Sequence, residues 1–186
     1  MEPAIKLLRS ALFSVTIGSN DFINNYLAPV ISEAERKLRL QITDLFWEVN
    51  QADPESCSEF SNQLAQSFNG KLRILVPELN KNLPGVNFVY ADIHSIVEDI
   101  IETTYHMGRL GFENTNPACC RVAGRYGGLI PCGPQPSKVC VDRSKYMFWD
   151  PYHPSDASNT IIARRLLYGN SSDISPMNVL QLLQAS

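Results

Sequence analysis

Apolar positions along the chain fall first into helical and then into extended rhythms. Over 32–49, Leu38, Ile42, Leu45, Phe46 and Val49 share one helical face. After a break at Asp53-Pro54-Glu55-Ser56 a second helix is predicted over 57–82. Its seam is Leu64, Phe68, Leu72, Leu75 and Leu79, in register with a 3.6-residue period, and Leu83-Pro84-Gly85 ends it. Two apolar runs, ALFSVTI at 11–17 and VNFVYA at 86–91, read as strands, the first of them buried. Asp92 terminates the second, and Ile93, Ile96, Val97, Ile100 and Ile101 define a further helix. Glycine, proline and cysteine dominate 108–143, which predicts an ordered loop with little regular structure. Ser155 is placed to cap a helix running through Ala157, Ile161, Ile162 and Leu166 to Tyr168, stopped by Gly169. The stretch 174–183 predicts one more short helix, with Pro176 in its first turn.

Strands alternating with helices indicate an α/β fold with a parallel sheet. One irregularity interrupts the alternation. The helices at 32–49 and 57–82 follow each other with no strand between them, although a doubly wound sheet needs one. Either they form a helical hairpin or a piece of sheet is absent.

The chain's 186 residues suit one domain, and 44% hydrophobic with 19% charged residues is a globular balance. A net charge of -3 argues against nucleic acid as a partner and gives no pull toward anionic membranes. No apolar run approaches the roughly 18 residues of a transmembrane segment. Met1-Glu2-Pro3-Ala4-Ile5-Lys6 is not followed by the apolar core of a signal peptide.

Cysteine usage changes the picture. Cys119, Cys120, Cys132 and Cys140 lie in one loop-like stretch, without paired C-x-x-C spacing and with no histidine among them, so a zinc site is not indicated. Two disulfides stapling that loop, and hence an oxidising compartment, are expected; five reduced thiols are the alternative. Cys57 has no obvious partner. Asn170-Ser171-Ser172 is an N-glycosylation sequon and points to the same compartment, whereas the absent signal peptide points away from it.

Candidate chemistry gathers in Phe148-Trp149-Asp150-Pro151-Tyr152-His153-Pro154. Asp150 before a proline favours a β-turn, and His153 before a proline is pushed out of the α region. Such a turn can bring the carboxylate back onto the imidazole, fix its tautomer and leave the other ring nitrogen free as a base. The same residues also make an ordinary proline-punctuated turn ahead of a helix, and taken alone they favour that simpler reading. Gly18-Ser19-Asn20-Asp21, at the end of the first predicted strand, stands on the edge where open α/β sheets bind ligands; a plain turn uses the same residues. His94 and His106 have no partner signature and read as surface or helix-end residues.

Together these segments resemble a family. Ile17-Gly18-Ser19-Asn20-Asp21 with Tyr26, Phe68-Asn69-Gly70-Lys71-Leu72, Cys119-Cys120 and 148–154 are, in order and spacing, similar to the plant GDSL esterase/lipases of the SGNH hydrolase superfamily. The resemblance runs from about Ile5 to the end. It implies a flavodoxin-like three-layer α/β/α fold, here incomplete, with 1–186 as a single partial domain. It also implies Asp150 as the acid and His153 as the general base of a Ser-His-Asp triad, and Asn20 as a side-chain donor of the oxyanion hole. The implied substrate is a small-molecule acyl ester or lipid, with no metal and no cofactor, in a secretory or extracellular setting.

Two departures from the family pattern bear on activity. The Gly-Asp-Ser-Leu block carrying the nucleophile and the later oxyanion-hole glycine have no counterpart, and no serine lies in a Gly-Asp-Ser or Gly-x-Ser-x-Gly context. The strand and Gly-Cys-x-Pro segment usual between the two long helices are missing where Leu45-Phe46-Trp47 leads to Cys57-Ser58-Glu59, which also accounts for the unpaired Cys57. The expectation is therefore a truncated ester hydrolase, inactive alone; the alternatives are a non-catalytic acyl-binding remnant or a non-functional product.

Overall fold

The structure is a computed structural model that describes residues 11–16, 59–107, 111–122, 132–133, 138–150 and 152–185. The expected helix over 32–49, the turn holding Asn20, and Cys57 lie outside those residues. The chain divides into two compact units, Met1–Pro84 and Gly85–Ser186.

In the first unit, residues 11–16 are not a buried strand. They are irregular, with Leu12, Phe13 and Val15 exposed at 54%, 65% and 77%. A β-branched and aromatic run becomes a strand only where a neighbouring strand accepts its backbone hydrogen bonds, and none is paired with it among the described residues. Helix α1, Glu59–Asn82, forms almost as its periodicity requires, and it continues through Pro77. Its less exposed side carries Phe68, Leu72, Val76 and Leu79, whereas Leu75 faces solvent. The Leu83 N–H still reaches the Leu79 carbonyl at 2.9 Å. Gly85, at φ +84°, then takes the left-handed turn that glycine adopts without a Cβ penalty.

The second unit holds the ordered core. Strand β1 is only Tyr90–Ala91, shorter than the predicted 86–91, and is followed by α2, Ile93–Met107. Asp92 caps α2: its carboxylate accepts from the Ser95 N–H at 3.3 Å and the Ser95 hydroxyl at 2.7 Å. Strand β2, Asn114–Ala118, lies inside the region expected to lack regular structure. Its sequence, NTNPA, has little strand propensity. It is extended because it pairs in parallel with β3, Tyr146–Phe148, through Asn114 opposite Tyr146 and Ala118 opposite Phe148, with an irregularity between them. A single 3-10 turn, Arg143–Lys145, leads into β3 under an Asp142 cap.

Helix α3, Asp156–Tyr168, has the predicted caps, Ser155 at its start and Gly169 at its end. The tail departs from expectation. Ile174–Ser175 forms strand β4, antiparallel to β1, and the helix α4 begins only at Val179 and runs to Gln184. Asn178 caps α4 in a reciprocal capping box with Gln181, so Pro176 precedes the helix rather than opening it.

The α/β class holds, but the described sheets are two separate pairs, β1–β4 antiparallel and β2–β3 parallel, rather than one continuous parallel sheet. Ile96 and Ile100 of α2, Phe112, Met147 of β3 and Ile162 of α3 form the buried core, with Val97, Ile101, Phe148, Ala157, Ile161 and Leu166 packed around it. Arg165 of α3 pairs with Asp99 of α2 and with the nearly buried Asp173, tying the tail to both helices. β3 therefore runs through the core and delivers the chain directly into 149–154.

Candidate functional site

Immediately after β3 the chain turns back on itself. The Trp149 N–H donates to the His153 carbonyl at 2.8 Å, Phe148 and Pro154 form an antiparallel bridge, and the Ser155 N–H donates to the Met147 carbonyl at 2.8 Å. The Ser158 hydroxyl of α3 reaches the same carbonyl at 2.6 Å. The loop is thus held between a buried strand and a capped helix. Sites on such rigid supports keep their geometry without help from ligand.

Asp150 lies inside this turn and is buried, and His153 closes over it. The ring Nδ1 is 2.8 Å from Oδ1 and 2.9 Å from Oδ2. The two side chains meet very different surroundings, the imidazole being 67% exposed and the carboxylate 3%. Oδ1 also accepts from the N–H groups of Tyr152 and His153, each at 2.9 Å, and Oδ2 from the Cys132 N–H at 3.4 Å. Burial pushes the Asp150 carboxyl up. The Tyr152 N–H, the His153 ring, the His153 N–H and the Cys132 N–H together outweigh it and hold the carboxyl below its usual value. An ionised carboxylate only accepts, so Nδ1 carries the ring proton and Nε2 is left with its lone pair outward from the pair. A base oriented in this way can take a proton from a hydroxyl placed against Nε2.

The cysteine loop braces the far side of this acid. Cys119 is joined to Cys140 and Cys120 to Cys132, the two local disulfides expected for this stretch. Cys119 and Cys120 follow β2 directly, and their N–H groups donate to the carbonyls of Phe148 and Trp149 at 2.9 and 2.8 Å. The Cys120–Cys132 bridge brings the Cys132 N–H to Asp150 across 18 residues of sequence. That donor is invisible in the sequence, because it rests on which cysteines pair. The Arg143 guanidinium sits over the Trp149 ring at 4.9 Å and braces the residue that enters the turn; sequence reasoning did not single it out.

Of the predicted site residues, the structure brings Asp150 and His153 together, and Asn20 lies outside the described residues. His94 is half-buried in the first turn of α2, 3.4 Å from Glu98 one turn on. The side chain of His106 is not described. No helix among the described residues is long and apolar enough to cross a membrane.

The family described as GDSL-like Lipase/Acylhydrolase matches residues 6–166. Among the proteins to which the chain is similar are several of Arabidopsis thaliana. GDSL esterase/lipase At4g16230 is 49% identical, over 96% of this chain and 57% of its own length. GDSL esterase/lipase At2g23540 is 40% identical over 95% and 54%, and GDSL esterase/lipase At3g50400 is 36% identical over 94% and 55%. The chain spans about half the length of these curated relatives. The first alignment extends over 214 positions, more than the 186 residues present, so that relative carries residues within the matched range that this chain lacks. No solved structure matches.

Proposed function

The chain belongs to the GDSL-like lipase/acylhydrolase family, and from that premise we propose that its chemistry is carboxylic ester hydrolysis by acyl transfer, with Asp150 and His153 as acid and base. The observation that carries this is Nδ1 of an exposed imidazole held by both oxygens of a buried, multiply bonded carboxylate. In the complete reaction Nε2 of His153 removes the proton of a serine hydroxyl as that oxygen attacks the ester carbonyl, then returns it to the leaving alcohol. Asp150 stabilises the imidazolium in between. The side-chain amide of Asn20 donates to the oxyanion, a contribution of about 10²–10³ in rate for one such donor. The substrate class is a small-molecule acyl ester or lipid, and the compartment is secretory or extracellular, in keeping with two disulfides.

The 186 residues contain no serine in a Gly-Asp-Ser context. Loss of a triad serine costs about 10⁶ in kcat, so these residues by themselves supply the base and the acid without turnover. The residues 1–186 act as one partial domain of that enzyme architecture.

The test is a chimera in which the N-terminal part of the 49%-identical relative, with the residues this chain lacks, is joined to the present Asp150–His153 region. It should hydrolyse short-chain nitrophenyl esters, and His153→Ala should abolish that activity while fluorophosphonate labelling of the serine drops in parallel. Full hydrolysis by the His153→Ala chimera would overturn the assignment.

A further inference from the structure

We propose that Asn170 is an acceptor for an N-linked glycan, carried on the turn between α3 and β4. Asn170-Ser171-Ser172 is the only Asn-x-Ser/Thr sequon with a non-proline middle residue in the chain. All three of its residues are exposed. So is Tyr168, at 68%, two residues ahead of the acceptor, leaving open surface for a bulky substituent.

The local geometry suits the chemistry. The Asn170 carboxamide oxygen accepts from the Ser172 N–H at 2.9 Å and from the Ser172 hydroxyl at 2.5 Å. These contacts span only two residues, so they form without the tertiary fold and are available to a chain still emerging. Among the described residues nothing accepts from the Asn170 amide nitrogen, which stands at the exposed surface where a transferase can reach and activate it. The backbone of Asn170 is meanwhile fixed, its carbonyl accepting from the N–H groups of Asp173 and Ile174 at 3.1 Å each. A substituent on the amide nitrogen therefore disturbs neither the turn nor the Arg165–Asp173 pair behind it.

The co-reactant is an oligosaccharide linked through diphosphate to a lipid in the secretory lumen. The amide nitrogen forms a bond to the anomeric carbon of the first sugar, the bond from that carbon to the diphosphate oxygen breaks, and the amide proton is lost to a base of the transferase. No redox change is involved. The two disulfides of this chain require the same oxidising compartment, which makes the donor available where the chain folds.

The full chain is directed into the secretory lumen of yeast by a cleavable leader and examined by intact mass and peptide sequencing, before and after peptide-N-glycosidase. Most of it should carry one glycan, removed by the enzyme with conversion of Asn170 to Asp. Asn170→Gln and Ser172→Ala should each abolish the added mass. Chain retained in the cell is digested and scored in the same way, so a failure to fold does not hide the answer. Bare Asn170 in the bulk of the lumenal chain, or a glycan that persists in Asn170→Gln, overturns the proposal.

Discussion

His153 holds Asp150 through both carboxylate oxygens, 2.8 and 2.9 Å from one ring nitrogen, although the acid is buried and the imidazole faces solvent. The contact is possible because the backbone doubles back within five residues, and the N–H groups of Tyr152 and His153 within the turn and of Cys132 outside it fill the remaining acceptor sites of the acid. The pair is therefore a property of the turn as a whole, and each side of it can be tested.

Removing the carboxylate should loosen the turn it organises. Asp150→Ala leaves the N–H groups of Tyr152 and His153 without their acceptor, and hydrogen bonds to a charged group contribute about 1.5–3 kcal/mol each. Amide exchange at Tyr152 and His153 should rise at least about tenfold, and less in Asp150→Asn, which keeps one oxygen. Unchanged protection in the Ala variant would show that the turn is held elsewhere.

Acid should weaken the same turn through the same group. The folded-state pKa of Asp150 lies below its ordinary value of 3.8, because its donors outweigh its burial. A depressed carboxyl contributes stability that is fully present above the unfolded value and is lost as pH falls through the folded one. Acid unfolding of the wild type should accordingly steepen below pH 3.8 relative to Asp150→Asn. Parallel curves for the two proteins would remove Asp150 from the acid response.

The cap that follows the turn should matter locally. The Ser155 side chain accepts from the Ser158 N–H at 3.2 Å at the start of α3. Ser155→Ala should destabilise this helix by about 0.5–2 kcal/mol and Ser155→Gly by less, read as exchange at the first amides of α3. Equal effects from the two substitutions would mean that packing, not capping, sets this helix start.

Disulfide mapping checks the brace behind the acid. Alkylation of the oxidised chain should modify one of its five cysteines, Cys57, and digestion should yield Cys119 joined to Cys140 and Cys120 joined to Cys132. Each bridge should contribute about 2–4 kcal/mol. Four or five alkylated cysteines in an oxidised sample would contradict the arrangement.

The isolated chain should associate and should not hydrolyse short-chain nitrophenyl esters above background. Leu12, Phe13 and Val15 are exposed, as are Ile74 and Leu75 of α1, and exposed apolar side chains of this size favour contact with other molecules. Sedimentation should show oligomers. A monodisperse monomer, or esterase turnover lost in His153→Ala, would refute the corresponding half of this expectation.

What the sequence determined by itself is what acts over a few residues. The helix predicted over 57–82 was legible from its 3.6-residue period, α2 from the spacing of Ile93, Ile96, Val97, Ile100 and Ile101, and α3 from Ser155 and Gly169, because caps and periodicity are settled within one or two turns. The approach of His153 to Asp150, a contact over three residues with each partner followed by a proline, was one of two local readings of the turn, and the family resemblance rather than the turn residues favoured it. Tertiary structure decided the rest. NTNPA became β2 only by pairing with residues some thirty positions on, and Ile174–Ser175 left the predicted tail helix to pair with Tyr90–Ala91. The run ALFSVTI at 11–17 reads as a buried strand, yet its residues 11–16 are exposed and unpaired among the described residues; a strand needs a partner that no local pattern supplies. The fourth donor to the acid, the Cys132 N–H, depends on the choice of partner among four cysteines, and only the folded backbone makes that choice.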